Sequence, residues 1–444
     1  MILHTVCSFF PEQYSKWLGL IPNLFFFILS QIFLGVLVYK ITKSKIRVLS
    51  TCLFYGFSWG AINTALFIRA YMLITLFGLV VINFHVSALE EEKDLKNEVV
   101  KLLGIYCFSI CGILSHYYFL IFLFFLSIGF CLICVCKQKI KKAIIYAGVI
   151  LLSLISCTIV FEPMVMQFKG KTSQGWHVNR AIQNFFDASF FDRVELFIDY
   201  INNSIFGGLL FGVILLIIIL VFKTLLNGDS YVFKLKLNTV AHYQNYLIDT
   251  KRCAYFLLFS TMLLYTLTII KISPFTAPHG IRYLFIVFPL ITLFTVNFIG
   301  ALKEFCNEEK LLMVICCLIV LFGLRMYDLK NIPLMDHSYS GIVSHIREDP
   351  NIGFVAINNG TYWYPLIKKI LIMKQTSQSY LIEEKKLKQL PQILKNYSKS
   401  HNSILIYRAE NCKLPLKIMM DFINRKTAFK NIKCLGGEVY LLNK

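Results

Sequence analysis

Two points in the chain set an arginine one or two residues ahead of a tyrosine at the mouth of a long apolar run. These are Arg69-Ala70-Tyr71 and Arg282-Tyr283, with His279 three residues before Arg282. A third polar cluster, Ser115-His116-Tyr117-Tyr118, joins them. Charged and hydrogen-bonding groups are costly at apolar depth and tend to mark a pathway or a site. A guanidinium is a planar fork that gives two parallel, charge-assisted hydrogen bonds to phosphate oxygens. Three such islands beside apolar grooves suit the phosphate of a lipid carrier whose hydrocarbon tail lies between helices. The plain alternative for either arginine is a side chain that snorkels to the headgroups. For His116 it is a packed polar residue among aromatics.

The elements that must position these islands are membrane helices. Hydrophobic residues make up 57% of the 444 and charged ones 16%, against about 45–50% and 25% in soluble domains. Apolar runs of about 17–25 residues cross hydrocarbon as helices, and these runs lack the alternation of barrel strands. Spans are expected near 19–39, 49–67, 70–88, 102–115, 118–136, 143–161, 205–222, 253–271, 283–301 and 311–325. The fold class is therefore a polytopic α-helical membrane protein of about ten transmembrane helices.

Charge in the connections gives the orientation. Lys40, Lys43, Lys45 and Arg47, then Lys93, Lys96 and Lys101, then Lys137, Lys139, Lys141 and Lys142, then Lys223, Lys234, Lys236, Lys251 and Arg252 all fall on one side. The positive-inside rule puts that side in the cytoplasm. Arg69, His116 and Arg282 then stand at extracytoplasmic helix ends, together with the 162–204 loop. That loop carries Lys169, Lys171, Trp176, His177, Arg180 and Arg193. Its stretch from Phe185-Phe186 to Tyr200 is amphipathic, as an interfacial helix would be.

The net charge of +20 is a property of these loops and of the tail, where it meets anionic lipid. No interleaved basic and aromatic pattern points to nucleic acid. Of the 14 cysteines, Cys52, Cys107, Cys111, Cys131, Cys134, Cys136, Cys157, Cys316 and Cys317 lie in or beside apolar runs and act as small hydrophobes. Cys131, Cys134 and Cys136 have no His or acidic neighbour of the kind a metal site needs. Cys412 and Cys434 could pair, which spacing alone leaves open.

The chain divides into a transmembrane domain over 1–325, including the external loop 162–204, and a small α/β extracytoplasmic domain over 326–444. In the tail, β-rich runs at Gly353–Ile357, Ser403–Tyr407 and Glu438–Leu442 alternate with lysine-rich helical stretches at Glu383–Ser400 and Leu414–Asn424. Gly436-Gly437 marks a turn before the last run. Asn202-Asn203-Ser204, Asn359-Gly360-Thr361 and Asn396-Tyr397-Ser398 match a glycosylation triplet that arises often by chance.

Phe54-Tyr55-Gly56-Phe57-Ser58 through Arg69-Ala70-Tyr71-Met72-Leu73 resembles the R-x-Y-x-L helix start of polytopic GT-C glycosyltransferases. The branch meant includes bacterial relatives of protein mannosyltransferases and aminoarabinose transferases. Ser115-His116-Tyr117-Tyr118-Phe119 resembles that family's T-H-Y-f turn with Ser in place of Thr. Arg282-Tyr283-Leu284 followed by Pro289 resembles its R-Y-l…P helix, and order and spacing agree over roughly residues 1–300. The resemblance implies transfer of a sugar from a polyprenyl-phosphate donor to an extracytoplasmic acceptor: a cell-envelope glycan, lipid or protein. It makes Arg69, Tyr71, His116, Arg282 and Tyr283 the donor-phosphate residues. It places the enzyme in a bacterial plasma membrane, and leaves a divalent metal open.

One departure bears on catalysis. The family's general base is an acidic residue in the first external loop, ahead of an H-P-P-l-y-y run. Met1-Ile2-Leu3-His4-Thr5 resembles the tail of that run, so the first helix and the catalytic loop are expected to be missing. Glu12 is the only carboxylate before Glu90, and Phe67 stands where the family has an acid before the arginine. A base must reach the acceptor hydroxyl; Glu12, Glu162, Asp187 and Asp192 are the weak candidates. An O-antigen-type polymerase or ligase would use the same arginines. A lipid-linked glycan flippase would call for mid-membrane charges and internal symmetry. An inactive remnant would need no base at all.

Overall fold

The structure is a computed structural model. It describes residues 16–66, 69–90, 94–161, 163–168, 181–186, 189–212, 250–273, 279–301, 352–358, 379–383, 388–408, 431–436 and 439–443, with isolated positions at 214, 215, 218, 309, 312, 316, 349, 419 and 423. The chain forms two compact units, Met1–Met335 and Asp336–Lys444.

The first unit is a helix bundle. Its helices are α1 (Lys16–Thr42), α2 (Lys45–Gly56), α3 (Trp59–Leu66), α4 (Tyr71–Leu89), α5 (Leu95–Ser115), α6 (Tyr118–Cys136), α7 (Ile140–Val160) and α8 (Pro163–Phe168). There follow α9 (Phe190–Phe206), α10 (Thr250–Ile272), a 3-10 helix at His279–Val287 and α11 (Phe288–Ala301). Among the described residues, seven helical stretches are long and apolar enough to cross a membrane. They correspond to the spans expected near 19–39, 70–88, 102–115, 118–136, 143–161, 253–271 and 283–301. The span at 311–325 lies mostly outside the described residues, and that at 205–222 lies partly outside them.

The span expected at 49–67 is two helices. Tyr55-Gly56-Phe57-Ser58 breaks it: Ser58 Oγ donates to the Tyr55 carbonyl (2.7 Å) and accepts the Ala61 N–H (3.2 Å). Serine at that position caps the first turn of α3. Both halves stay in the bundle, since Phe54, Tyr55, Ala61 and Ala65 are buried.

Helix α4 is the axis of the unit, with 15 of its 19 residues buried. It packs on α1, α5 and the 3-10 helix. At Gly78 a Cβ would stand 2.9 Å from Ile286, so glycine permits the approach to the 3-10 segment. The outer helices look the other way. On α1, Ile21, Phe25, Ile28, Ile32 and Val36 are exposed at helical spacing, and on α7 so are Ile144, Leu151, Ile155 and Ile159. Apolar stripes of this kind face lipid in a multi-pass protein.

A polar chain inside the bundle is internally satisfied. His85 Nδ1 meets the Val81 carbonyl at 2.7 Å, and Nε2 lies 2.7 Å from the Tyr146 hydroxyl. That hydroxyl is 2.8 Å from Ser127 Oγ, which ties α4, α6 and α7 together. At the lysine-rich end, cations close helix C-termini. Lys101 Nζ donates to Ser87 O (3.0 Å), Lys40 Nζ to Ser87 Oγ (2.7 Å) and Arg47 Nη2 to Gly300 O (3.0 Å). Positive side chains are favoured where the helix dipole is negative.

The second unit holds β1 (Gly353–Asn358), β2 (Ser379–Glu383), α12 (Leu390–Ser400), β3 (Ser403–Arg408), β4 (Asn431–Gly436) and β5 (Val439–Asn443). The sheet order is β2-β1-β3-β5-β4, parallel across β2, β1 and β3, and antiparallel from β3 to β5 and β5 to β4. Three strands lie within a residue of the expected runs; β2 and β4 were not expected. Val355, Ile357, Leu390, Leu394, Ile404, Ile406 and Leu442 form its core. Asn396 of the third triplet sits on α12, while Asn202 of the first is buried and accepts the Leu210 N–H (2.8 Å). Neither is an open loop acceptor; the triplet at 359–361 and Cys412 lie outside the described residues.

Helix α3 meets α11 at Gly60, where a Cβ would lie 2.5 Å from Phe288 Cε2 and 3.1 Å from the Ser204 carbonyl. Replacing Gly60 by Val is expected to cost about 1–3 kcal/mol by overpacking. Gly148→Ala, at a site with nothing within 4 Å, should be neutral. Thermal unfolding of both variants in detergent, followed by size-exclusion chromatography, checks the contrast.

Candidate functional site

The three sequence islands come together at one end of the helix bundle. Tyr71 begins α4, His116 follows the last residue of α5, Tyr118 begins α6, and Arg282 and Tyr283 lie in the 3-10 helix. A narrow recess there is lined by Tyr71, His116, Tyr118, Tyr265, Arg282 and Tyr283 above a floor of Ile74, Phe119, Phe285 and Ile286.

Local sequence explains each placement. Pro289 in the first turn of α11 has no N–H to return to the carbonyl four residues back. The chain ahead of it winds as a tighter 3-10 helix. Tyr265 of α10 donates its hydroxyl to the Tyr283 carbonyl at 2.7 Å, fixing that segment against the bundle. His116 adopts extended backbone (φ −167°, ψ 135°) at the end of α5. The chain reverses there into α6, with Phe119 N–H donating to His116 O (3.0 Å) and Leu120 N–H to Tyr117 O (3.0 Å).

The aromatic rings form one cluster. Tyr118 stacks on Tyr283 with centroids 4.2 Å apart and planes 19° off parallel. His116 lies 5.4 Å from Tyr71, 5.4 Å from Tyr118 and 5.8 Å from Tyr283. Tyr71 meets Phe285 edge to face at 5.9 Å. Such contacts add about 0.5–1.5 kcal/mol each beyond area burial.

Charge sits on that cluster. The Arg282 guanidinium lies 5.1 Å from the centre of the Tyr283 ring, and its Nη2 donates to the Tyr283 hydroxyl (3.2 Å). Arg282 and Arg69 both act on Tyr71 through space. Arg69 is exposed and stands outside the recess lining, at its rim. Tyr117 borders the turn, and partial burial raises its phenol above the ordinary value, so it stays neutral.

Arg193 was not expected at the site. It is buried on α9, where Nη1 donates to Lys271 O (2.7 Å) and Nη2 to Ser273 O. Asn184 Nδ2 shares the Ser273 carbonyl (2.7 Å). Together they close the C-terminus of α10, just ahead of the segment leading to Arg282. Arg193 also acts on Tyr118 through space. The amphipathic stretch is therefore packed into the bundle through Arg193, Phe197, Asn202 and Phe206, while Phe191 and Leu196 face outward. The one signal in the sequence was an arginine on the apolar side of an amphipathic helix.

Among the described residues, no carboxylate lines the recess. Asp192, Glu195 and Asp199 point outward from α9. Glu12, Glu162, Asp187, Trp176 and His177 lie outside the described residues, as does the side chain of His279. No group of three His, Cys, Asp or Glu side chains fit to hold a metal occurs among the described residues. The recess thus combines guanidinium, imidazole and phenol groups, which are donors to an anion.

These features define a multi-pass helical membrane protein with a cation-rimmed aromatic recess at one end of the bundle. No family model matches the chain, and no curated protein matches its sequence. Among solved structures it is similar to the crystal structure of ArnT from Cupriavidus metallidurans bound to undecaprenyl phosphate. The match covers 99% of this chain and 86% of that one at 8% identity, with a TM-score of 0.46. A likeness of that size assigns this chain neither a family nor a ligand.

The Tyr265 hydroxyl and the Tyr283 hydroxyl make separable predictions. Tyr265→Phe leaves a buried carbonyl unsatisfied and should cost about 1–3 kcal/mol, with the Tyr118–Tyr283 stack loosened. Tyr283→Phe keeps the carbonyl and the stack, so it should be close to neutral for stability. Detergent melting curves of the two variants read the difference directly.

Proposed function

We propose that this chain is a membrane glycosyltransferase that takes a sugar from a polyprenyl-phosphate donor and transfers it to an extracytoplasmic acceptor. The observation that carries the reading is the convergence of Tyr71, His116, Arg282 and Tyr283 on one recess, with Arg69 at its rim. Those residues come from motifs separated by more than 200 positions in the sequence. Each stands in the sequence as a polar island beside an apolar run and within a stretch that resembles a GT-C motif, and the folded chain draws four of them into one recess lining.

In this reading the recess faces the extracytoplasmic side, opposite the lysine-rich ends of α1, α4, α5 and α6. The unit at the C-terminus is extracytoplasmic as well. The arginines would hold the phosphate oxygens, and the leaving phosphate would keep its developing charge among preorganised donors. Tyr71 and Tyr283 would donate hydrogen bonds from the apolar wall. The tail would lie along the lipid-facing surface. The described residues supply no base to the recess, so the proton of the acceptor hydroxyl would go to a carboxylate from elsewhere in the chain.

Full-length protein in nanodiscs, titrated with a short-chain polyprenyl phosphate, tests this. Arg282→Ala should weaken binding at least about tenfold, the size of one lost charge-assisted hydrogen bond. Arg69→Ala, at the exposed rim, should weaken it less. Equal binding by wild type and both variants, or preference for a polyprenyl alcohol, would rule out a phosphate role for the recess.

A further inference from the structure

Within the recess, one ring has its proton placed by the backbone. The Tyr118 N–H donates to His116 Nδ1 at 3.2 Å. A ring nitrogen that accepts an N–H carries no proton of its own, so in the neutral imidazole the proton is on Nε2. This bond is a product of the chain reversal. His116 is the extended residue that ends α5, and Tyr118 is the first residue of α6, whose N–H has no carbonyl within its own helix. The His116 side chain therefore acts as a cap for α6. A second proton on Nδ1 would set two N–H groups against each other and undo that cap.

We infer that His116 is a fixed Nε2–H hydrogen-bond donor in the recess, neutral, and is not the base that takes the acceptor's proton. The role rests on the phosphate-binding reading above: a neutral donor beside Arg282 and Arg69 adds a directed hydrogen bond to an anionic oxygen. As a base, His116 would have to accept through Nε2, which already holds the proton. Accepting through Nδ1 would cost the Tyr118 bond. The surroundings agree with this assignment. His116 sits among the Tyr71, Tyr118 and Tyr283 rings, and the described residues of the recess lining include no carboxylate. Because the neutral ring only lends a hydrogen bond, no proton changes hands at His116 in any step.

Two measurements on the full chain test the inference. Solid-state NMR of histidine-labelled protein in liposomes, with the His116 signals assigned by their loss in His116→Gln, reads the protonation of each ring nitrogen. The expected result at neutral pH is a bare Nδ1 and a protonated Nε2. A protonated Nδ1, alone or with Nε2, overturns the inference and leaves the transferase reading standing.

The second measurement uses amide replacements. A Gln amide reaches the place of Nε2, whereas an Asn amide reaches only that of Nδ1. In polyprenyl-phosphate titrations, His116→Gln should stay within about threefold of wild type, while His116→Asn loses about tenfold, the worth of one such bond. Equal loss in both overturns the donor role. Wild-type protein that binds no polyprenyl phosphate sinks the transferase reading instead, and the NMR result then decides the tautomer by itself.

Discussion

Every interrupted helix in this bundle leaves carbonyl or N–H groups with no partner in their own element, and hydrocarbon offers no water to satisfy them. That constraint organises both ends of the molecule. At one end Lys101 and Arg47 close the C-termini of α4 and α11. At the other, Arg193 and Asn184 close α10, Tyr265 serves the buried carbonyl of Tyr283, and His116 caps α6. The side chains that satisfy backbone are also those that concentrate donors around the recess. The 3-10 segment and the half-helices α2 and α3 can exist in an apolar bundle because each break has a named donor or acceptor.

The same donors bias the recess chemically. Backbone bonds hold its wall in place: the Tyr265 bond fixes the strand of chain carrying Tyr283, and the Tyr118 stack fixes the ring. Arg282 then needs little reorganisation to face an anion, because its guanidinium is already set against the Tyr283 ring and hydroxyl. A site of this composition favours negative charge and disfavours deprotonation chemistry by its own members.

Much of the helical framework was legible in the sequence, because long apolar runs and lysine-rich turns follow from the energetics of hydrocarbon and lipid headgroups. Tyr71, His116, Arg282 and Tyr283 were legible as islands for the same reason, since polarity stands out against such runs. The break at Ser58 was harder to read. Its cue is a single serine after a glycine, and the apolar content of 49–67 outweighs it. Arg193 stayed hidden because its partners are carbonyls of residues 271 and 273, and no side-chain pattern announces a backbone acceptor. Strands β2 and β4 escaped because β2 runs directly into the charged stretch from Glu383 and Lys433 interrupts the apolar pattern of β4.

The polar chain through α4 also has a history in time. Asn83 donates to Phe33 O, a residue made 50 positions earlier, so its partner is waiting when α4 leaves the ribosome. His85 is different: Tyr146 comes 61 positions later, after α5 and α6 have been threaded. For that interval α4 carries an imidazole whose Nδ1 has the Val81 carbonyl of its own helix but whose Nε2 still awaits Tyr146. The seating of α7 is therefore the event that gives His85 Nε2 its partner, and one of the outermost helices completes the polar chain of the axis.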